Sequence, residues 1–217
     1  MNLSITQKII SLLLIAFVFF FPHYAYLPLF LYVPVVLIVI WLYLKYSTKE
    51  SFKDIFFSFR RFEAKAIWIG ALSGIILFGL LQFLLMPLIK KIFPNEIIDL
   101  KDFAFIKGNP INFAFVLLMA FIVGGFYEEL VFHGFIFTRF EKLFGPKNRF
   151  IISFILTNLI FGAYHYQQGI LGIINAFIAG SCYHVLTLKY NRNQWYGLFF
   201  HSFYDFVGLT FIFLGHH

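Results

Sequence analysis

The chain has 217 residues, of which 61% are hydrophobic, 23% aromatic and only 12% charged, with a formal net charge of +7 and a mean hydropathy of +0.84. A soluble domain averages roughly 45–50% apolar and about 25% charged residues, so a soluble globular protein is excluded. Long uncharged runs without strand-like alternation exclude a transmembrane barrel and predict an all-α polytopic transmembrane helix bundle.

Seven spans are expected in chain order, with eight as the alternative count: Ile9–Pro22, Leu27–Leu44, Ile67–Leu88, Phe113–Thr138, Phe150–Tyr164, Ile170–Leu188 and Trp195–Leu214. The first is short and follows Lys8, as a signal-peptide core would, but HYAYL offers no small-x-small cleavage site, so a retained span is expected. Between the second and third spans, SFKDIFFSFRRFEAK alternates basic and aromatic residues. It reads either as an interfacial helix or as a solvated basic loop. The fourth span is long enough to bend at Gly124-Gly125 and run on as a partly interfacial helix. Two parts are expected, 1–112 holding the first spans and the basic loop, and 113–214 holding the chemistry.

Lysine and arginine placement sets the expected orientation. Six lie between Lys45 and Lys65, four between Arg139 and Arg149, and Lys189 and Arg192 add two more, all on one side of the seven spans. The positive-inside rule makes that side cytoplasmic, with the N-terminus inside and the C-terminus outside a cell membrane. Lys90, Lys91, Lys101 and Lys107 run mildly against the rule. The net charge then reports topology and contact with the lipid bilayer, with no nucleic acid as partner. Cys182 is the lone cysteine, so no intrachain disulfide can form.

Seven of the ten acidic residues are expected in loops or interfacial segments: Glu50, Asp54, Glu63, Glu96, Asp99, Asp102 and Glu141. Glu128, Glu129 and Asp205 fall within spans, where a charge costs about 2.5–3.5 kcal/mol even on the insertion scale. Such residues face the bundle interior and are functional candidates. Helical spacing pairs Glu129 with His133, Phe161 with His165, and His201 with Asp205, each at i, i+4, with Asn158 one further turn back from Phe161. His184 has no such partner and reads as a packing histidine, while His23, His216 and His217 read as loop or terminal residues. Interhelical hydrogen bonds alone, worth roughly 0.6–2 kcal/mol each, would be the bland use of these groups. Ser, Thr or Asn would serve that use more cheaply than two adjacent glutamates.

No HExxH is present, GALSG at Gly70–Gly74 lacks the rhomboid spacing, and Tyr204-Asp205 has no GxGD partner. EELVFHG, FGAYH and HSFYD instead resemble, in order and spacing, the EExxxR, FxxxH and HxxxN/D motifs of the CPBP (Abi) family, which includes CAAX prenyl proteases and bacteriocin-processing enzymes. The basic turn KYNRNQW also stands where that family has one, and the likeness covers Phe113 to Leu209. The resemblance implies an intramembrane endopeptidase acting on a peptide or membrane-anchored protein. Glu128 would be the general base on water, His165 would orient that water, and His201 and a protonated Asp205 would stabilise the oxyanion. Glu129, His133 and Phe161 would support them. His133 departs from the motif, which has arginine there, and neutralises Glu129 only when protonated.

No cofactor is called for by this chemistry. Zn²⁺ is the open alternative, since Glu128, Glu129, His133, His165, His201 and Asp205 are all acceptable ligands. A proton-coupled transporter and a catalytically silent immunity or scaffold protein are further rivals. Counting from the basic ends at about 1.5 Å per residue puts Glu128 roughly 16 Å deep, His201 roughly 9 Å and His165 roughly 24 Å, a mismatch to be resolved in three dimensions.

Overall fold

A computed structural model describes residues 3–25, 27–144 and 149–216; Tyr26, Lys147 and His217 lie outside them. Among these residues there is no strand, and the expected helical segments are all present. They are α1 (Ile5–Tyr24), α2 (Leu29–Leu42), α3 (Ala64–Leu80), α4 (Met86–Lys90), α5 (Pro110–Met119), α6 (Phe137–Leu143), α7 (Arg149–Tyr164), α8 (Gly169–Lys189) and α9 (Gln194–Leu214). Wider π-type winding extends α2 through Tyr43–Thr48, joins α3 to α4 through Leu81–Leu85, and joins α5 to α6 through Ala120–Ile136. Six of the resulting helices are long and apolar enough to cross a membrane, while α7, at 16 residues, falls short of the usual length. The protein is a multi-pass, all-α membrane bundle. His23 sits inside α1 and not in a loop, because that helix runs through Pro22 to Tyr24.

Local sequence explains the ends. Ser4 and Gln7 form a reciprocal capping box on α1. Asn109 accepts the N–H groups of Ile111 and Asn112 at 3.1 Å, with Pro110 as the first helical residue of α5. Asn193 caps α9, and Gly215, at φ 86°, ends it.

The π-wound segment Ala120–Ile136 is the central strut of the bundle. Every residue from Tyr127 to Phe140 is buried, the polar ones included, so this stretch is enclosed on all sides. The fourth span stays helical to Leu143, with π-type winding through Gly124-Gly125 and with Thr138, Arg139 and Phe140 buried. π-winding over 17 residues is long for a geometry mostly seen as single turns.

Gly70 and Gly74 let α3 lie directly on α9. A Cβ on Gly70 would stand 2.7 Å from the backbone of Phe199 and Phe200, and one on Gly74 would stand 2.7 Å from the amide nitrogen of Tyr204. GALSG is therefore a small-xxx-small contact, the glycine pattern that brings membrane helices together. Outward faces carry exposed apolar residues such as Trp68 and Ile111, as lipid contact requires.

The segment between α2 and α3 forms no continuous helix, and its charged residues Lys53, Asp54, Arg60, Glu63 and Lys65 are exposed. It makes two short 3₁₀ turns, Phe52–Ile55 and Phe59–Arg61, and buries Ile55, Phe56 and Phe57 against the basic end of the bundle. Trp195 Nε1 donates to the Ser58 carbonyl at 3.0 Å, and Arg61 donates to the carbonyls of Arg192 and Asn191 at 2.9 and 2.6 Å. Arg192 grips Glu141 in a fork at 2.7 and 2.8 Å. Arg139, fully buried, stands 2.7 Å from Glu50, which Lys142 also contacts. Glu50 and Glu141 are thus loop-side anchors and not free charges.

Two outcomes follow. Gly74→Leu overpacks a backbone contact and should lose at least about 1–3 kcal/mol, whereas Ser73→Ala should stay within about 0.5 kcal/mol of wild type. Unfolding titrations in detergent decide it, and a Gly74→Leu protein of wild-type stability would refute the close α3–α9 contact. Burial raises the Glu50 carboxyl, but Arg139, Lys142 and Thr48 outweigh it and hold its pKa at about 2. An unfolded glutamate titrates near 4.3, so the depressed folded value stabilises fully above that pH and is lost as pH falls through about 2. Glu50→Gln should therefore cost on the order of 2–3 kcal/mol at pH 7 and progressively less from about pH 4.5 down to 2. A stability gap independent of pH over that window would show that the pair carries no charge coupling.

Candidate active site

Three helical elements bring the polar residues together. The central π-wound segment carries Glu128, Glu129 and His133; His165 stands just past the last residue of α7; α9 carries His201 and Asp205. Oε2 of Glu128 lies 3.8 Å from Nε2 of His165 and 4.0 Å from Nε2 of His201. Nε2 of His201 is also 3.5 Å from Oδ2 of Asp205. The mismatch in counted depth is therefore resolved: these groups meet at one level, so the basic residues at the helix ends do not mark a common plane for upright helices.

The two adjacent glutamates have opposite surroundings. Glu129 is fully enclosed and doubly partnered, with Oε2 at 2.8 Å from Nδ1 of His133 and Oε1 at 3.2 Å from Nδ1 of His201. Glu128 is buried too, yet its Oε2 has no hydrogen-bond partner among the described residues. Leaving a buried acceptor unmatched costs about 1–3 kcal/mol, more when it is charged. His201 lies between the pair, one ring nitrogen turned to each glutamate.

His165 has a defined proton position. Its Nδ1 is 2.9 Å from the carbonyl oxygen of Phe161, which can only accept, so Nδ1 donates. In the neutral ring Nε2 is then a free acceptor facing Glu128. Phe161 is the wedge among the rings, with centroids 5.1 Å from His133, 4.9 Å from His165 and 5.8 Å from His201. Tyr183 stacks on His201 at 4.5 Å, fixing that ring from α8. Gly124 keeps the site open, since a Cβ there would stand 2.6 Å from Oδ2 of Asp205 and 3.4 Å from Nε2 of His201. Gly197 does the same beside Glu129, where a Cβ would stand 2.7 Å from Oε2.

His184 and Asn158 are the residues whose connection the sequence did not reveal. His184 has no i, i+4 partner on α8, but its ring stacks on His133 at 4.6 Å and on Phe154 at 4.9 Å. Asn158 lies between the two histidines, 3.2 Å from each. The signal present in the sequence was a polar amide on the Phe161–His165 stripe; its partners come from other helices. Among the described residues no group of three or more His, Cys, Asp or Glu side chains is arranged as a metal-holding cluster.

Residues 110–207 match the family model described as type II CAAX prenyl endopeptidase Rce1-like. This stretch contains all three polar motifs, and it is the family those motifs resemble. The segment is similar to that family of CAAX-protease-like membrane endopeptidases. No curated protein and no solved structure matches the chain significantly.

If Gly124 is glycine to leave room for Asp205 and His201, Gly124→Ala should fold normally but lose roughly 10-fold or more in activity, since small misplacements at a reacting centre are costly. Wild-type turnover in a folded Gly124→Ala protein would remove that role.

Proposed function

We propose that the protein is an intramembrane endopeptidase that hydrolyses a peptide bond of a membrane-associated protein or peptide through water activated by Glu128. The observation that carries this reading is the unpartnered Oε2 of Glu128, turned towards Nε2 of His165 and Nε2 of His201 at 3.8 and 4.0 Å. Separations of that size suit a shared oxygen atom better than a direct hydrogen bond.

In this mechanism one water donates to Glu128 and to the lone pair of His165 Nε2. Glu128 takes the proton as the water oxygen attacks the scissile carbonyl carbon, and the carbon–oxygen double bond opens to an oxyanion. His201 has carboxyl groups at both ring nitrogens, so both can carry protons, and Nε2–H is then a donor to that oxyanion. Asp205 donates as well when protonated, as burial of a carboxyl permits. Glu128 returns its proton to the leaving amine as the carbon–nitrogen bond breaks. No covalent intermediate with the enzyme forms.

Residues 113–214 form the catalytic unit in this reading, with 1–112 as its scaffold. Following the positive-inside rule, the basic end that holds Arg61, Arg139 and Arg192 faces the cytoplasm, which puts the N-terminus inside and the C-terminus outside the cell membrane. The substrate is a peptide, as in bacteriocin processing, or a membrane-anchored protein reaching the site from the bilayer.

Glu128→Gln should leave the protein folded and lower proteolysis by ~10²–10⁴-fold, because it removes the base without changing shape. His201→Ala should cost about 10²–10³-fold, the usual effect of losing one oxyanion donor. Comparing the peptides of cells carrying wild-type and Glu128→Gln protein provides both the assay and the substrate. Identical peptide profiles would remove the assignment. Turnover should also persist after exhaustive chelation; its loss, with recovery on adding Zn²⁺, would favour the metal hydrolase instead.

A further inference from the structure

The environment of Asn158 settles the proton positions on two histidines. Its Nδ2 lies 2.8 Å from the carbonyl oxygen of Phe154, where only a donor can stand, so the amide has one permitted orientation. The second Nδ2 hydrogen points to Nδ1 of His184 at 3.2 Å, making that nitrogen an acceptor. Oδ1 must then be the atom facing Nε2 of His133 at 3.2 Å. An amide oxygen can only accept, so Nε2 of His133 donates.

The other ring nitrogen of His133, Nδ1, faces Oε2 of Glu129 at 2.8 Å. That oxygen belongs to a carboxyl group already taking Nδ1 of His201 on its other side. An ionised carboxylate can only accept, so against the Glu129 carboxylate Nδ1 of His133 is the donor. Both nitrogens of His133 are then donors, which is the definition of the cationic ring.

We propose that Asn158 is a positioning residue: by accepting from Nε2 it holds His133 as an imidazolium against Glu129, and through Glu129 it orients His201. The groups around His133 agree with this assignment. Glu129 comes from its own helix, Asn158 from α7, and His184 from α8 stacks on it at 4.6 Å and 27°. His201 reaches it only through Glu129. Because Nδ1 of His184 accepts, its proton is on Nε2, and His184 stands neutral beside a cation. Asn158 thereby separates two stacked histidines into one charged and one neutral ring. The catalytic consequence rests on the proposed peptidase reading; the ring assignment does not.

The test is ¹⁵N NMR of histidine-labelled full-length protein at pH 7, with the His133 signals assigned by their loss in His133→Arg. Both ring nitrogens of His133 should be protonated, and His184 should show a single Nε2–H tautomer. An unprotonated ring nitrogen on His133 in the wild type overturns the proposal, whether or not any variant folds.

Kinetics add a second readout, using the peptide found with Glu128→Gln. Asn158→Leu should lower kcat about tenfold with KM little changed, the effect of one charge-assisted hydrogen bond. Asn158→Asp, which keeps an acceptor in place, should restore most of it. In a His133→Arg background Asn158→Leu should have almost no further effect, because no imidazole is left to fix. An equal loss in both backgrounds would make Asn158 merely structural and overturn the proposal. An active Glu128→Gln alongside the expected NMR spectrum would instead defeat the base assignment and leave the assignment of His133 standing.

Discussion

The site depends on one constraint: two adjacent carboxyl groups are enclosed in a membrane bundle and must be matched from within. Removing one partner of a buried ion pair costs more than the pair itself contributes, so the surroundings of Glu129 are fixed once Glu129 is there. Two helices meet that demand, with Nδ1 of His133 on its own helix and Nδ1 of His201 on α9 each hydrogen-bonded to one of its oxygens. α7 supports them with Asn158 and with the ring of Phe161 between the histidines. The polar groups thus set the position of helices that apolar packing alone would leave free to slide.

Packing makes room for this arrangement. Glycines stand where a side chain would strike the polar groups or block a helix, at Gly124 against Asp205, at Gly197 against Glu129, and at Gly70 and Gly74 between α3 and α9. From Tyr127 to Ile136 the π-wound segment is buried, so its polar residues face other helices and not lipid. At the basic end, Glu50 and Glu141 hold Arg139, Lys142 and Arg192. These contacts tie the α2–α3 connection to the helices that carry the buried polar cluster.

Much of this was legible from local spacing. The bundle class and its helical segments came from apolar runs, and the partners Glu129–His133 and His201–Asp205 came from i, i+4 spacing. The convergence of Glu128, His165 and His201 could be expected from three polar stripes in otherwise apolar spans, but not their common depth. Depth counted along each helix from Arg139, Arg149 and Trp195 failed, since Glu128, His165 and His201 meet within about 4 Å all the same. Asn158 to His184 and Glu50 to Arg139 were hidden for the same reason: they join residues 26 and 89 positions apart, and no helical period reports such pairs. GALSG shows the converse, a pattern present in the sequence whose use depends on what lies opposite. It lacks the spacing of a rhomboid serine motif, and against the backbone of α9 it is a helix contact.

The asymmetry between Glu128 and Glu129 is what separates a functional arrangement from polar glue. Were the carboxyl groups there only to join helices, both would be satisfied, since each missing partner destabilises the bundle. Glu129 follows that rule: both its oxygens are taken, and its neighbours are ordered by Asn158 and Phe161. Glu128, one residue away in the same enclosed helix, breaks it, with one oxygen unpartnered and two imidazole nitrogens held just beyond bonding reach. His165 is held there by its own bond to the Phe161 carbonyl and His201 by its bond to Glu129, so neither ring can close on Glu128 without giving up a partner. The satisfied glutamate therefore holds His201 back from the unsatisfied one and leaves that oxygen open, which is the use of placing two of them side by side.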